Sequence, residues 1–325
     1  MKRWLHWVRL SLGITLVALL VTHFAGMHAT WNAVLSAHPL PLAGCVAIYF
    51  IGVVLSCLKW QWLLRAQGIQ ASLTRLVQWY LMGTLAGTLL PSDIGGDLGR
   101  GYAAAREMGN GAAVWSSILM ERFTGLIALA VLAALALALM PGVLDAPAWL
   151  PLGAGIGVAL SVVGFAVMLG FSPVRLERLP HWLSHIILQF QEVAARYRNN
   201  AGTILACLGL SVVFHLGNAL SFWWLALAIQ PDAPAATMIL WPLAGLFGVL
   251  PLTPGGLGVR EGISAALLMH ADLSSDQAVA AALIGRMLLL LCSLAGLPTL
   301  IATLSHVHER ASTASEKEIP NDVRI

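Results

Sequence analysis

Apolar stretches long enough to cross a lipid bilayer recur through the 325-residue sequence. A membrane-spanning helix needs about 20 apolar residues. Only 10% of the residues in the sequence are charged and its mean hydropathy is +0.81, so the chain is too apolar for a soluble domain. A backbone in lipid must satisfy its own hydrogen bonds, so such spans are helical. The sequence predicts an all-α polytopic membrane protein with six full transmembrane helices, at about 10–27, 41–64, 112–140, 149–171, 201–229 and 278–304.

Two glycine-rich breaks follow shorter apolar stretches at about 73–90 and 235–250. The breaks at 91–100 and 251–260 share the pattern Pro-x-x-x-Gly-Gly-x-x-x-Arg, and a long apolar helix follows each. Paired interruptions in corresponding halves indicate a transporter built from two repeats. The alternative is that both are ordinary interhelical loops, since the chain contains 31 glycines and 15 prolines.

The positions of Lys and Arg favour re-entrant hairpins at these breaks. If both apolar lead-ins crossed the membrane completely, the segment 172–200 with its four arginines would lie outside, against the positive-inside rule. With two hairpins that segment is cytoplasmic, and the loops at 28–40, 141–148 and 230–234, which lack Lys and Arg, face outward. The count also makes the halves inverted repeats, about 1–140 and 149–304.

These assignments give one membrane domain, 1–304, with both termini in the cytoplasm. Within it, apolar residues recur at helical spacing in 172–200, which predicts a cytoplasmic amphipathic linker helix. The tail 305–325 is polar and is expected to be disordered. Lys59, Trp60, Trp62 and Arg65 suit a cytoplasmic interface at the end of the second span.

The two breaks are the first candidates for a binding site. Non-helical backbone at membrane depth must be buried in protein or line a polar cavity, so the breaks are expected to meet near the midplane. The glycines leave backbone N–H groups free just before a short helix, and a helix N-terminus attracts anions. The residues concerned are Gly95, Gly96, Gly255 and Gly256, with Arg100 and Arg260 about one turn further on.

Deeper charges follow each break. Glu121 and Arg122 lie about ten residues into one predicted span, and Arg286 lies about nine residues into the last. Charged side chains at such depth need an ion-pair partner, water or a functional role. Four arginines around one cavity would suit a phosphate-bearing head group. Four carboxylates would reduce the positive charge of this cavity: Asp93, Asp97, Glu121 and Glu261.

A structural reading of the same charges remains open. Arg100 can pair with Asp97 or Asp93, and Arg260 with Glu261 or another buried acid. Arg122 and Arg286 can likewise be structural partners of Glu121 or Glu261. His215 and Asn218 are weaker candidates, because both residue types also serve as interhelical hydrogen-bonding groups.

Cysteine and metal chemistry are not indicated. The four cysteines lie singly inside apolar stretches without Cys-x-x-Cys spacing, which predicts small buried hydrophobic residues: Cys45, Cys57, Cys207 and Cys292. No metal site, cofactor or nucleic-acid partner is expected.

Three segments resemble the lysylphosphatidylglycerol synthase transmembrane, or flippase-like, family. They are 89–100, the Glu-Arg-Phe-Thr-Gly-Leu sequence at 121–126, and 252–261, and the resemblance extends over about 8–304. It implies a bacterial-type inner-membrane protein that moves anionic or modified lipids between leaflets. The soluble aminoacyl-transferase domain of the bifunctional members is not expected in this chain, so lipid lysylation is not implied. The lipid is left open between phospholipids and polyprenyl or glycolipid substrates.

Three functions therefore compete. The first is a lipid flippase or scramblase, in which inverted hairpins and midplane arginines form a cavity that opens to each side in turn. The second is a membrane-embedded transferase, which would need a carboxylate base such as Asp93, Asp97 or Glu261. The third is a partner that recruits a lipid-modifying enzyme through 172–200.

The topology can be tested by labelling. A single cysteine introduced at Ser184, inside the four-arginine segment, should react with a membrane-impermeant thiol reagent only from the cytoplasmic side. Labelling of this position from outside intact cells would reject the inverted-repeat topology, because the number of membrane crossings is deduced from the cytoplasmic location of this segment.

Overall fold

In the computed structural model the described residues are 27–89, 94–139, 155–159, 200–248 and 256–303, with isolated positions at 11, 14–15, 17–19, 22, 162–163, 188, 197 and 253. The helices among them, in chain order, are α1 (Met27–Leu35), α2 (Pro39–Ala66), α3 (Leu73–Leu89), α4 (Ile94–Met108), α5 (Gly111–Leu139), α6 (Ala201–Ile229), α7 (Trp241–Gly248), α8 (Val259–His270) and α9 (Ser275–Ser293), with 3₁₀ turns at Ala235–Leu240 and Leu294–Gly296. The predicted tail and nearly all of the predicted linker lie outside the described residues.

Among the described residues, four helices are long and apolar enough to cross a membrane. They are α2, α5, α6 and α9, the last continuing through its 3₁₀ turn to Thr303, and each has 28 or 29 residues. They match four of the predicted spans to within about three residues. The all-α polytopic membrane fold is thereby confirmed, while the predicted spans at 10–27 and 149–171 fall largely outside the described residues.

The ends of α2 illustrate how local sequence sets the helix bounds. Pro39 occupies the first turn, where its missing N–H removes no hydrogen bond. At the other end Gly68 has a φ of +80°, and the N–H groups of Gly68 and Ile69 donate to the carbonyls of Arg65 and Leu64. This left-handed glycine ends the helix and turns the chain towards α3.

The helix α1 is a difference from the sequence prediction. Residues 28–40 were expected to be an outward-facing loop, but Met27–Leu35 is helical. It packs against α9, and the N–H of His38 donates to the carbonyl of Ala228 at the end of α6. The segment therefore connects to the helix bundle instead of extending freely.

The elements around the two breaks are short. With 17 residues α3 is at the lower limit for crossing a bilayer, and α4, α7 and α8 have 15, 8 and 12 residues. These lengths suit hairpins that enter and leave the membrane on one side. The re-entrant arrangement and the repeat boundaries stay predictions.

Each short pair packs in its own hydrophobic core. The pair α3 and α4 packs with α2 and α5 around residues such as Trp60, Leu76 and Trp79. The pair α7 and α8 packs with α5, α6 and α9 around residues such as Leu243 and Leu268. All four cysteines are free and buried, as predicted from their apolar surroundings.

Glycine allows α3 and α4 to approach closely. A Cβ added to Gly83 would lie 2.7 Å from the carbonyl oxygen of Gly96, and a Cβ added to Gly96 would collide with the backbone of Gly83. Neither backbone can move aside without separating the two helices. The hairpin therefore depends on glycine at both positions.

We expect Gly96→Ala to destabilise the protein by about 1–3 kcal/mol, the usual cost of overpacking. Thermal unfolding in detergent measures this as a lower midpoint. The control is Gly209→Ala, in the middle of α6, where an added Cβ meets nothing within 4 Å. Equal midpoints for the two variants would show that the approach of α3 to α4 is not tight.

Candidate functional site

Arg100 lies at the centre of a buried ion network in the first half of the chain. Its side chain is only 2% exposed. Its Nε donates to Asp97 Oδ1 at 2.9 Å, and Nη2 lies 2.7 Å from Glu121 Oε2. The guanidinium also lies over the rings of Trp60 and Tyr80, 4.9 and 4.7 Å from their centroids. Two carboxylates and two aromatic faces compensate the charge.

Arg122 joins the same network from α5. Its Nε donates to Asp97 Oδ2 at 2.7 Å and its Nη2 to Asp97 Oδ1 at 2.8 Å, a bidentate pair. Unlike Arg100, its side chain is 54% exposed. Glu121 and Arg122 are adjacent in sequence but bind different partners, as their neighbouring positions on a helix lead one to expect. We call Asp97, Arg100, Glu121 and Arg122 the Arg100 cluster.

The second half contains a matching pair between α8 and α9. Arg286 Nε donates to Glu261 Oε1 at 2.6 Å, and the N–H of Gly258 donates to Glu261 Oε2 at 2.6 Å. Glu261 thus neutralises the arginine and caps the start of α8 at once. Gly258, with a φ of +81°, provides the left-handed turn before the helix.

The two pairs have the same sequence separation. Asp97 and Arg122 are 25 residues apart, as are Glu261 and Arg286. In each half an acid in the short helix after the break therefore reaches an arginine in the following long helix. Relative to the shared Gly-Gly-x-x-x-Arg pattern, the second pair is displaced by about one helical turn.

A cavity of about 130 Å³ lies beside the second pair. Its charged lining is formed by Arg260, Glu261 and Arg286, and the Arg260 guanidinium lies 5.7 Å from the centroid of the Trp241 ring. The rest of the lining comes from α2, α6, α8 and α9 and includes the polar residues Asn218, Ser221 and Ser264. We call this the Arg286 cavity.

Sequence offsets relate Glu121 to small residues in the second half. The motif arginines Arg100 and Arg260 are 160 residues apart, and the same step from Glu121 leads to Ala281. Counting instead from the ion pairs, one turn later, leads to Gly285. Both Ala281 and Gly285 line the Arg286 cavity.

The structure places the four predicted arginines in two separate pairs. Arg260 and Arg286 line the Arg286 cavity, while Arg100 and Arg122 do not belong to its described lining. Gly95 and Gly96 are buried and belong to the first turn of α4, inside the helix instead of before it. Gly256 has a φ of +68° close to Arg260. Asp93 and Gly255 lie outside the described residues.

The ion pairs bear on the structural alternatives for these charges. Arg100 binds Asp97 as considered, and also Glu121. Arg286 binds Glu261, one of the two structural partners considered for it. Arg122 binds Asp97, which was not considered for it.

The prediction that Lys59 and Trp60 face a membrane interface was wrong. Both are buried, and Trp60 Nε1 donates to Ser117 Oγ at 2.9 Å. Lys59 Nζ donates to Ser211 Oγ at 3.0 Å and to the backbone oxygen of Glu121 at 3.1 Å. The only sequence signal for this role was a lysine placed inside an apolar stretch.

The weaker candidates have structural hydrogen bonds. His215 Nε2 lies 3.1 Å from the carbonyl oxygen of Gly125, which can only accept, so this nitrogen carries a proton. Asn218 Nδ2 donates to the carbonyl of Phe214 on its own helix. His215 thus links α5 to α6, whereas Asn218 contributes to the cavity wall.

Comparison with known proteins agrees with this architecture. A family model described as lysylphosphatidylglycerol synthase TM region matches residues 7–296. Two curated relatives from Methanothermobacter thermautotrophicus carry the description UPF0104 membrane protein. One is 22% identical over 91% of this chain and 91% of its own length, the other 24% identical over 79% and 83%. No solved structure matches the chain.

We expect Arg286→Gln to destabilise the protein by about 3–5 kcal/mol, because it leaves the Glu261 carboxylate buried without its cation. Adding Glu261→Gln should restore part of the loss, since no charge is then stranded. The matched control is Arg75→Gln, which breaks the exposed Arg75–Glu107 pair and should cost at most about 1 kcal/mol. Equal unfolding temperatures for both single variants would contradict this account of the buried pair.

Proposed function

The chain belongs to the lysylphosphatidylglycerol synthase TM-region family, and on that premise we propose that it moves phosphate-bearing anionic lipids between the two leaflets of a membrane. The observation that supports this best is the Arg286 cavity, which brings two guanidiniums and one carboxylate together inside a membrane-embedded helix bundle. Two guanidinium groups in one lining favour an anionic ligand. The substrate class is a phospholipid, polyprenyl phosphate or glycolipid that carries a phosphate.

The guanidinium groups in this cavity would bind the phosphate of the head group directly. Guanidinium groups bind phosphate oxygens in bidentate fashion, and the effect is stronger in a low-dielectric interior than in water. Arg286 is held in place by Glu261, which orients its guanidinium in the cavity lining. We propose that the phosphate lies against these two arginines.

The size of the cavity limits what enters it. Engineered protein cavities of about 150 Å³ admit a benzene molecule, so 130 Å³ suits a phosphate group and its nearest substituents. The acyl chains would stay in the surrounding lipid, against the exposed apolar faces of the helices. Only the polar part of the lipid then needs a path through the protein.

The Arg100 cluster would provide a second binding site for the head group, the first being the Arg286 cavity. Arg122 is 54% exposed and already binds a carboxylate in bidentate fashion. If the halves are inverted repeats, these two binding sites face opposite sides of the membrane. A head group would pass from one arginine pair to the other as the helix pairs move.

We propose that the protein acts in the bacterial cytoplasmic (inner) membrane with both termini in the cytoplasm. Translocation needs no cosubstrate, which separates it from the transferase and from the recruiting partner considered above. A requirement for a second substrate, or for a lipid-modifying enzyme, would favour one of those functions.

The direct test is translocation of a fluorescent anionic phospholipid in proteoliposomes without any cosubstrate. We expect Arg260→Gln to slow translocation by about 10–100-fold, the value of a charge-assisted hydrogen bond. The matched control is Arg106→Gln, which removes an exposed arginine at the end of α4 and should leave the rate unchanged.

Arg286 is tested in the Glu261→Gln background, so that no carboxylate is stranded by its loss. Arg286→Gln should there abolish translocation, whereas Arg286→Lys should keep part of it, because lysine retains the charge but not the planar fork. A well-folded Arg286→Gln protein that moves anionic lipid at the normal rate would reject this function.

A further inference from the structure

Lys59 carries a buried amine to which the lipid path described above gives no role. It lies on α2 and is 6% exposed. Its hydrogen-bond acceptors, Ser211 Oγ and the backbone oxygen of Glu121, are uncharged. Among the described residues, no carboxylate lies within ion-pair distance of Nζ.

The surroundings of this amine form a polar layer between three long helices. A Cβ added to Gly125 on α5 would lie 3.7 Å from Lys59 Nζ, so glycine leaves room for the amine. The carbonyl of Gly125 accepts from His215 on α6, and Ser211 Oγ donates to the carbonyl of Cys207. The amine is thus held by fixed dipoles on both sides.

Charge counting shows what is unusual about the site. Through Glu121, Lys59 adjoins the Arg100 cluster, whose two carboxylates are both paired with guanidiniums. A protonated Lys59 makes three cations against two carboxylates over the described residues. An uncompensated charge in a low-dielectric interior is costly. Among the residues that the structure describes in this layer, the charges balance only when Lys59 is neutral or when a further anion is present.

Lys59 is the member of this layer that can change its charge at least cost. Guanidinium groups keep their protons in proteins, and protonating either carboxylate would break an ion pair. A neutral amine can instead keep its contact with Ser211, because a hydroxyl both donates and accepts. Within the part of the chain that the structure describes, the titratable and charged groups that interact with Lys59 from the helices packed around it are Arg100, Glu121, Arg122, Cys207 and His215. Cys57, Tyr80 and Asp97 adjoin the same arginines.

We propose that Lys59 is a proton-binding site coupled to the anionic lipid. It takes up a proton from water when a phosphate-bearing head group binds at Arg122 and returns that proton to water when the head group leaves. The inference rests on the proposed function. Arg122 is the exposed member of the Arg100 cluster, so it is where an anion can add the missing negative charge.

The proposal has a reciprocal consequence. If an anionic head group favours the protonated amine, then protonation of the amine favours the head group by the same factor. With one proton taken up per lipid, affinity changes by up to about tenfold per pH unit. A zwitterionic head group adds no net charge and should show no such dependence.

The charge of Lys59 can be observed directly, because the chain contains only three lysines, Lys2, Lys59 and Lys317. In nanodiscs of zwitterionic lipid, protein labelled with ¹³C-lysine should give a Lys59 Cε signal typical of a neutral amine near pH 8. Adding anionic phospholipid at that pH should move this signal to the charged position. Lys59→Arg assigns it, and the two terminal lysines serve as internal controls.

The transport test uses the same variants. Wild-type translocation of anionic lipid should depend on pH, whereas Lys59→Arg, with a fixed charge, and Lys59→Met, with none, should not. His215→Gln is the control and should retain the dependence. If Lys59→Met does not fold, Lys59→Arg and the NMR signal still decide.

The outcomes separate the two claims. A Lys59 signal that stays charged at pH 8 without anionic lipid, or does not respond to it, overturns the coupling even if translocation is observed. Loss of pH dependence in His215→Gln alone also overturns it and assigns the proton to the histidine. A Lys59 signal that responds to lipid in a protein that moves none supports the proton site and rejects the proposed function.

Discussion

Every buried charge in this protein must find compensation inside a membrane, where water supplies little. An arginine at the centre of a spanning helix costs about 2.5–3.5 kcal/mol on insertion scales, so position and pairing of charges are coupled. Arg100 and Arg286 meet this requirement through Glu121, Asp97 and Glu261. Because these partners come from different helices, satisfying the charges also determines which helices must touch.

Close packing at glycine makes this pairing geometrically available. Gly83 and Gly96 let α3 and α4 approach until their backbones are in contact, and the Arg100 Cβ lies beside the Cβ direction of Gly83. Gly125 leaves the space into which Lys59 extends. Glycine here acts by removing volume at helix contacts, which sequence reasoning had assigned mainly to freeing backbone N–H groups at the breaks.

The sequence predicted those features that depend on local pattern. Apolar length located α2, α5, α6 and α9, and the repeated Gly-Gly-x-x-x-Arg pattern pointed to the two regions where charge is concentrated. It could not predict which acid binds which arginine, because Asp97 and Arg122 become neighbours only through the packing of α4 on α5. The burial of Lys59 was missed for the same reason: an interfacial and an interior lysine near a helix end look alike without the facing helices.

The surroundings of Arg100 and of Arg260 differ in the described residues. In the first half Glu121 reaches Arg100 and occupies the space next to its guanidinium. In the second half the corresponding residue is Ala281 or Gly285, and the cavity opens there. A carboxylate and a phosphate oxygen offer a guanidinium the same kind of acceptor. Under the proposed function, an anionic ligand would give the arginines of the Arg286 cavity the kind of acceptor that Glu121, as part of the chain, gives Arg100.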